Sequence, residues 1–159
     1  VRLDDVAHGL ATKCRWAGHT RTYYSVAEHS LRVATLVPEY SKAPLDGGTR
    51  LQALLHDAAE AYLGDVPAPL KRRLPRYGEI EERLLAVILE AFDAPPLPLH
   101  PAVKWADREL LEAERHHLSA LREVYPHAEA PGAAYPPFTP LSWELARQAF
   151  RTAVEEAQP

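Results

Sequence analysis

The chain is 159 residues long, 47% hydrophobic and 25% charged, which fits one folded domain and excludes a disordered tail, a collagen-like fibre and a disulfide scaffold. A single cysteine rules out an intrachain disulfide and fits a reducing compartment, and no apolar run nears the ~20 residues that span a bilayer. A net charge of −4 argues against binding a nucleic-acid polymer, which calls for a basic surplus. The expectation is therefore one domain over residues 1–159, in the cytoplasm, with no membrane and no nucleic-acid partner. The chain starts at Val1 and contains no methionine, so its natural N-terminus is expected further upstream.

In chain order, residues 3–11 read as a short helix and residues 12–24 as a polar loop containing Gly18. Ser25 opens the next helix. Ser25 and Glu28 form the S-x-x-E capping box, which satisfies two orphan backbone donors. Val26, Val33, Leu36 and Val37 follow at helical spacing, and residues 38–48 are expected to close the helix from Pro38 onward. Residues 49–62 predict a third helix with Leu51, Leu54, Leu55, Ala58 and Tyr62 on one face, ended by Gly64. Pro67 and Pro69 make residues 65–70 a turn before a short basic helix. Residues 79–92 are strongly helical, with Ile80, Leu84, Val87, Ile88 and Ala91 expected inward. Residues 95–98 break the chain with prolines. Residues 100–121 predict a long helix with Pro101 in its first turn, residues 125–140 a proline-rich loop, and residues 141–157 a final helix. No stretch alternates with a period of two, so the fold class is all-α, a bundle of about six to seven helices.

Chemistry concentrates in four polar residues set into apolar faces. His29 sits in the stripe Val26–His29–Val33–Leu36. Read alone, it is a hydrogen-bonded core histidine. The adjacent pair His56 and Asp57 follows Ala53-Leu54-Leu55, and Asp107 follows Val103-Lys104-Trp105-Ala106. A buried carboxylate is costly unless paired, hydrogen-bonded or metal-bound. Two imidazoles and two carboxylates form a mixed N/O set suited to one divalent metal: Zn²⁺, Mn²⁺, Fe²⁺ or Co²⁺. With four protein ligands such a metal keeps positions for water, whose pKa it lowers.

Other groups cluster around that set. Glu60 lies four residues after His56 and three after Asp57, so on a helix it shares their face. It is either a general acid/base or a solvent-facing glutamate. Asp65, past the helix end, is a turn residue or a proton donor to a leaving oxygen. Lys71 and Arg72 are surface cations or phosphate contacts. Upstream, Arg15 can fork onto a phosphate and Trp16 can pack a sugar or base; otherwise Trp16 belongs to the core and Arg15 to the surface. Cys14 reads as a small buried residue.

The segments SVAEHSLRVA, ALLHDAAEAYLGDVPAPLK and VKWADRELLEAE resemble the three signatures of the HD-domain metal phosphohydrolases. More narrowly, the chain resembles the bacterial 5′-deoxynucleotidase branch, which is related to phage dATP triphosphohydrolases. The likeness runs over residues 3–121. It implies an HD-domain helical bundle. It implies His29, His56, Asp57 and Asp107 as ligands of one divalent metal, Glu60 and Asp65 as catalytic acid/base residues, and Arg15 and Trp16 as nucleotide contacts, with Lys71 on phosphate. It also implies a homo-oligomer. The loop between Arg15-Trp16 and Glu28-His29 is one residue shorter than in that branch and carries His19, Thr20 and Arg21. The expected reaction is hydrolysis of deoxynucleoside 5′-monophosphates. The alternatives are triphosphate release from a dNTP, with Arg72, Arg73 and Arg76 as the added cations; hydrolysis of another phosphate ester; or a non-catalytic helical metal-binding module.

Overall fold

The computed structural model describes residues 1–41, 46–118, 120 and 137–159. Among them the chain is all helical, with six helices of nine residues or more and two single turns. These are α1 (Leu3–Thr12), α2 (Val26–Ser41), α3 (Gly47–Leu55), α4 (Glu60–Leu63), α5 (Ala68–Lys71), α6 (Pro75–Ala91), α7 (Pro101–His117) and α8 (Trp143–Ala157). The all-α expectation holds. Most of the proline-rich loop expected at 125–140 lies outside the described residues. None of the described helices is long and apolar enough to cross a membrane.

Helix ends follow local chemistry. Ser25 Oγ accepts from Glu28 N at 3.1 Å, Asp46 Oδ1 from Thr49 N at 2.7 Å, and Ser142 Oγ from Leu145 N at 3.4 Å. Each satisfies an otherwise orphaned donor of a first turn. Only half of the expected capping box forms. Glu28 does not turn back; its Oε1 pairs with Arg32 and its Oε2 accepts from Leu141 N at 2.8 Å. The carboxylate that would have capped α2 instead ties α2 to the segment leading into α8.

Helix α2 packs along α7, α3 lies against α2 and α8, and α1 lies against α8 and α4. Val33, Val37, Leu54, Leu55, Val103, Leu110 and Phe150 are buried at the centre, each worth about 1.5–3 kcal/mol of transfer free energy. Gly9 permits the α1–α4 contact: a Cβ there would stand 2.8 Å from Ala61 Cβ and 2.9 Å from its carbonyl oxygen.

Three expectations need correction. Pro38 does not end α2; it lies inside, and the helix runs on to Ser41. The helix expected over 49–62 is broken. Residues 56–59 form turns, with Ala58 N bonding Leu55 O and Glu60 N bonding Asp57 O, so i→i+3 bonds replace the α-helical ladder. Tyr62 consequently leaves the core and is 50% exposed. On α6 the inward face is Leu85, Ile88 and Leu89, whereas Ile80, Val87 and Ala91 are exposed and Leu84 is half-buried.

Candidate active site

Two helices and one turn converge on a cluster of imidazoles and carboxylates. His29 comes from α2, Asp107 from α7, and His56 and Asp57 from the turn between α3 and α4. The donor atoms of His29, His56 and Asp107 lie within 4.8 Å of one another. His29 Nε2 is 3.1 Å from Asp107 Oδ1, and His56 Nε2 is 4.0 Å from the same oxygen. Asp57 Oδ2 stands 3.2 Å from His56 Nε2 and 3.8 Å from His29 Nε2. All four residues expected as ligands are therefore neighbours.

Both imidazoles present the same nitrogen to the cluster. His56 Nδ1 bonds Ala53 O at 2.8 Å, and His29 Nδ1 bonds Glu114 Oε1 at 2.6 Å. A carbonyl or carboxylate oxygen can only accept, so each Nδ1 carries the proton and each Nε2 faces inward. His56 Nε2 is buried with no directed hydrogen bond among the described residues, although Asp57 Oδ2 lies within ion-pair distance at 3.2 Å. A buried, aimed and unsatisfied ring nitrogen beside two carboxylates and a second imidazole suits a divalent metal.

The electrostatics agree. Burial works against the Asp57 carboxylate, but His56, His29 and Arg15 overcome it and hold it well below the usual carboxylate range. Burial and the Arg15 charge oppose an imidazolium at His29, yet Glu114 and Asp107 push it up to about 9. The carboxylates thus draw positive charge toward the cluster. A metal would take over that role and displace protons from the ring nitrogens.

Beside the cluster opens a cleft of about 570 Å³, lined among others by Arg15, Trp16, Asp57, Glu60, Asp65 and Asp107. Glu60 is buried at the N-terminus of α4. Its Oε1 accepts from Lys71 Nζ at 3.0 Å, while its Oε2 has no partner among the described residues. Burial, together with the charges of Asp57 and Asp65, pushes the Glu60 carboxyl up to about 8 against the pull of Lys71. Gly64 ends that single turn at φ 85°, where glycine carries no Cβ penalty, and its N–H closes on Glu60 O at 2.8 Å. Asp65 follows directly; burial and Asp57 hold its carboxyl above the ordinary range, against Arg15.

Two residues differ from their sequence reading in what holds them. Lys71 is not simply presented to the cleft. It bridges Glu60 and, at 2.6 Å, Glu81 Oε1 of α6, so two of its three donors are committed. Arg15 is buried rather than exposed. Its Nε donates to Glu114 Oε2 at 3.2 Å and its Nη1 lies 3.5 Å from Asp57 Oδ2. It begins a tight turn in which Trp16, Ala17 and Gly18 have φ of 58°, 50° and 80°. Two non-glycine residues in the left-handed region cost about 1–2 kcal/mol each. The turn is secured by Trp16 Nε1 donating to Glu114 Oε2 at 3.1 Å, and by antiparallel pairing of Cys14 with Ser25 at its base.

Glu114 is the residue in contact with the cluster that sequence reading missed. It lies inside the VKWADRELLEAE segment among charged neighbours and looks like part of a solvated face. The one available signal is its spacing: seven residues from Asp107 places both on one side of α7.

The fold and the cluster together define an HD domain, and the HD domain family matches residues 8–98, more than half of the chain. The chain belongs to that family, a superfamily of metal-dependent hydrolases. It is 43% identical over 118 residues to the uncharacterized protein YfdR of Escherichia coli K12, covering 74% of this chain and 61% of that protein. It is 38% identical over 130 residues to an uncharacterized protein of Rhodobacter capsulatus, covering 78% of this chain and 66% of that protein. The chain thus spans slightly less than two thirds of each of these relatives.

Proposed function

We propose that this protein is a metal-dependent phosphohydrolase that converts deoxynucleoside 5′-monophosphates to deoxynucleosides and phosphate. The observation that carries the reading is the shared cleft. The metal-binding cluster, a buried carboxyl with one unpartnered oxygen and an arginine fork all face the same space. A structural metal site needs no such acid/base group and is usually closed, which disfavours a non-catalytic module.

A bound divalent metal would supply charge neutralisation and a nucleophilic water at His29, His56, Asp57 and Asp107. In its carboxylate form, which a divalent cation beside Asp57 would favour, Glu60 would accept the nucleophile's proton at Oε2 while Lys71 fixes its Oε1. Arg15 offers phosphoryl oxygens the part of its fork not used by Glu114 and Asp57, where developing charge is stabilised. As the phosphorus–O5′ bond breaks, Asp65 gives a proton to the leaving oxygen. Trp16 offers its ring to the sugar or base. Arg72, Arg73 and Arg76 are exposed and do not line the cleft, which supports a single phosphoryl group over a triphosphate chain.

A chromatographic screen of dNMPs, NMPs and dNTPs with Mn²⁺, Co²⁺ or Zn²⁺ tests this. The expected products are nucleoside and orthophosphate from dNMPs. Intact triphosphate from a dNTP, or no turnover by protein that holds metal, would overturn the substrate assignment. The reading includes a cytoplasmic homo-oligomer. Its candidate contact is the outer stripe of α6, where Ile80, Leu84, Val87 and Ala91 follow a 4-3-4 spacing suited to a helix–helix seam. Sedimentation equilibrium should give a mass above one chain; a monomer would remove the oligomer from the reading.

A further inference from the structure

The strongest unassigned feature is a carboxylate buried at the back of the cluster. Glu114 is completely buried on α7. Its two oxygens receive four donors from three different parts of the fold. Tyr24 Oη at 2.7 Å and His29 Nδ1 at 2.6 Å donate to Oε1. Trp16 Nε1 at 3.1 Å and Arg15 Nε at 3.2 Å donate to Oε2. An ionised carboxylate has about four lone-pair sites, and all are used here. A charge buried in this way persists only when fully paired, so the donor set and the carboxylate hold each other in place.

The division between the two oxygens gives the residue its role. Oε1 holds the far side of His29, which keeps Nε2 turned toward Asp107 and Asp57. Oε2 holds the left-handed turn at Arg15 and Trp16, which lines the mouth of the cleft. Asp57 also meets both, at 3.5 Å from Arg15 Nη1 and 3.8 Å from His29 Nε2, but from the cluster side; Glu114 holds the opposite nitrogen of the ring. We infer that Glu114 is a positioning residue that anchors the metal-binding imidazole and the substrate-facing turn through separate oxygens of one carboxylate. The inference deepens the metal-site reading above and rests on it.

The test uses the full chain and the metal alone. Apparent Mn²⁺ and Zn²⁺ affinities are measured by competition with a chromophoric chelator. Tryptic cleavage after Arg15 is timed by mass spectrometry of the native protein, because this bond opens only when the turn releases. Glu114→Gln keeps the shape, removes the charge and places an NH₂ group against at least one donor. It should weaken metal binding roughly 10–100-fold, the usual cost of losing an outer partner of a ligand histidine, and should speed cleavage after Arg15. Trp16→Phe removes one donor from Oε2 only. It should speed that cleavage while leaving metal affinity within about twofold, below the outer-partner range.

Wild-type protein that binds neither metal would sink the metal-site reading itself. Wild-type binding with unchanged metal affinity in Glu114→Gln would overturn this inference alone, and so would unchanged cleavage after Arg15. A purely packing role would lower the melting temperature without moving either readout. Should Glu114→Gln fail to fold, Trp16→Phe decides the matter: faster cleavage at constant metal affinity supports the split anchor, and an unchanged cleavage rate or a parallel loss of metal refutes it.

Discussion

The two sides of the cleft are built differently. His29 and Asp107 stand on α2 and α7, each four turns or longer, packed along one another through a continuous core. Glu60, Asp65 and Lys71 stand on or beside α4 and α5, which have four residues each. Isolated helices that short are not stable alone, because nucleation costs more than one turn returns. The metal side therefore inherits its geometry from the core, through α2 and α7 for His29 and Asp107 and through α3 for the turn that carries His56 and Asp57. The acid/base side beyond that turn is held by a few contacts: Gly9 under Ala61, the Gly64 N–H on Glu60 O, Tyr77 Oη donating to Gly64 O, and Lys71 between Glu60 and Glu81. Metal binding should depend on the first side and turnover on both.

Asp107→Ala tests the core-built side and carries the largest expected effect. Losing an outer partner of a ligand costs about 10–100-fold in affinity, and losing a ligand itself should cost about 100-fold or more. Chelator competition should show that loss and activity should vanish with it, while circular dichroism stays helical. Full activity with metal removed would break the assignment. Glu60→Gln addresses the other side. It should keep the metal affinity and lower kcat by about 10²–10⁴-fold, the range for a positioned proton-transfer group. A fall in metal affinity of similar size would show that the two sides are one unit.

The same contrast decides what was legible in the sequence. His29, His56, Asp57 and Asp107 stand out because polar residues interrupt apolar helical stripes, and the structure brings them together. Around Glu60 the stop at Gly64 was legible, as was a proline turn before a short basic helix, although α5 already begins at Ala68 inside that expected turn. The break at residues 56–59 was not, because Leu51, Leu54, Leu55 and Ala58 keep their apolar period through it and all four are buried. Nor could periodicity choose the inner face of α6. Ile80, Leu84, Val87 and Ala91 form one apolar stripe and Leu85, Ile88 and Leu89 another, and only tertiary packing selects between them. Arg15 and Glu114 were hidden for a third reason. Their burial depends on each other, across 99 residues of sequence, and nothing local to either residue reports it.

The smallest predicted effect comes from a residue far from the chemistry. Gly9 of α1 faces Ala61, the neighbour of Glu60, and an added Cβ would meet Ala61 Cβ at 2.8 Å, its carbonyl oxygen at 2.9 Å and its Cα at 3.0 Å. Two of those three atoms are backbone, so rotating a side chain cannot relieve the clash and α4 must shift. Gly9→Ala should therefore destabilise the fold by about 1–3 kcal/mol, the usual range for overpacking, partly offset by the better helix propensity of alanine. It should also lower kcat several-fold, since displacements near 1 Å at a positioned group can cost up to about 10²-fold. Metal affinity should fall less than the rate, because His29 and Asp107 on α2 and α7 do not rest on this contact and only His56 and Asp57 adjoin α4 through the 56–59 turn. Adding Ala61→Gly removes the Cβ but not the backbone atoms, so it should restore only part of the rate. A Gly9→Ala protein that loses metal as steeply as rate would mean that the short-helix side also supports the cluster, and the division between the two sides would have to be abandoned.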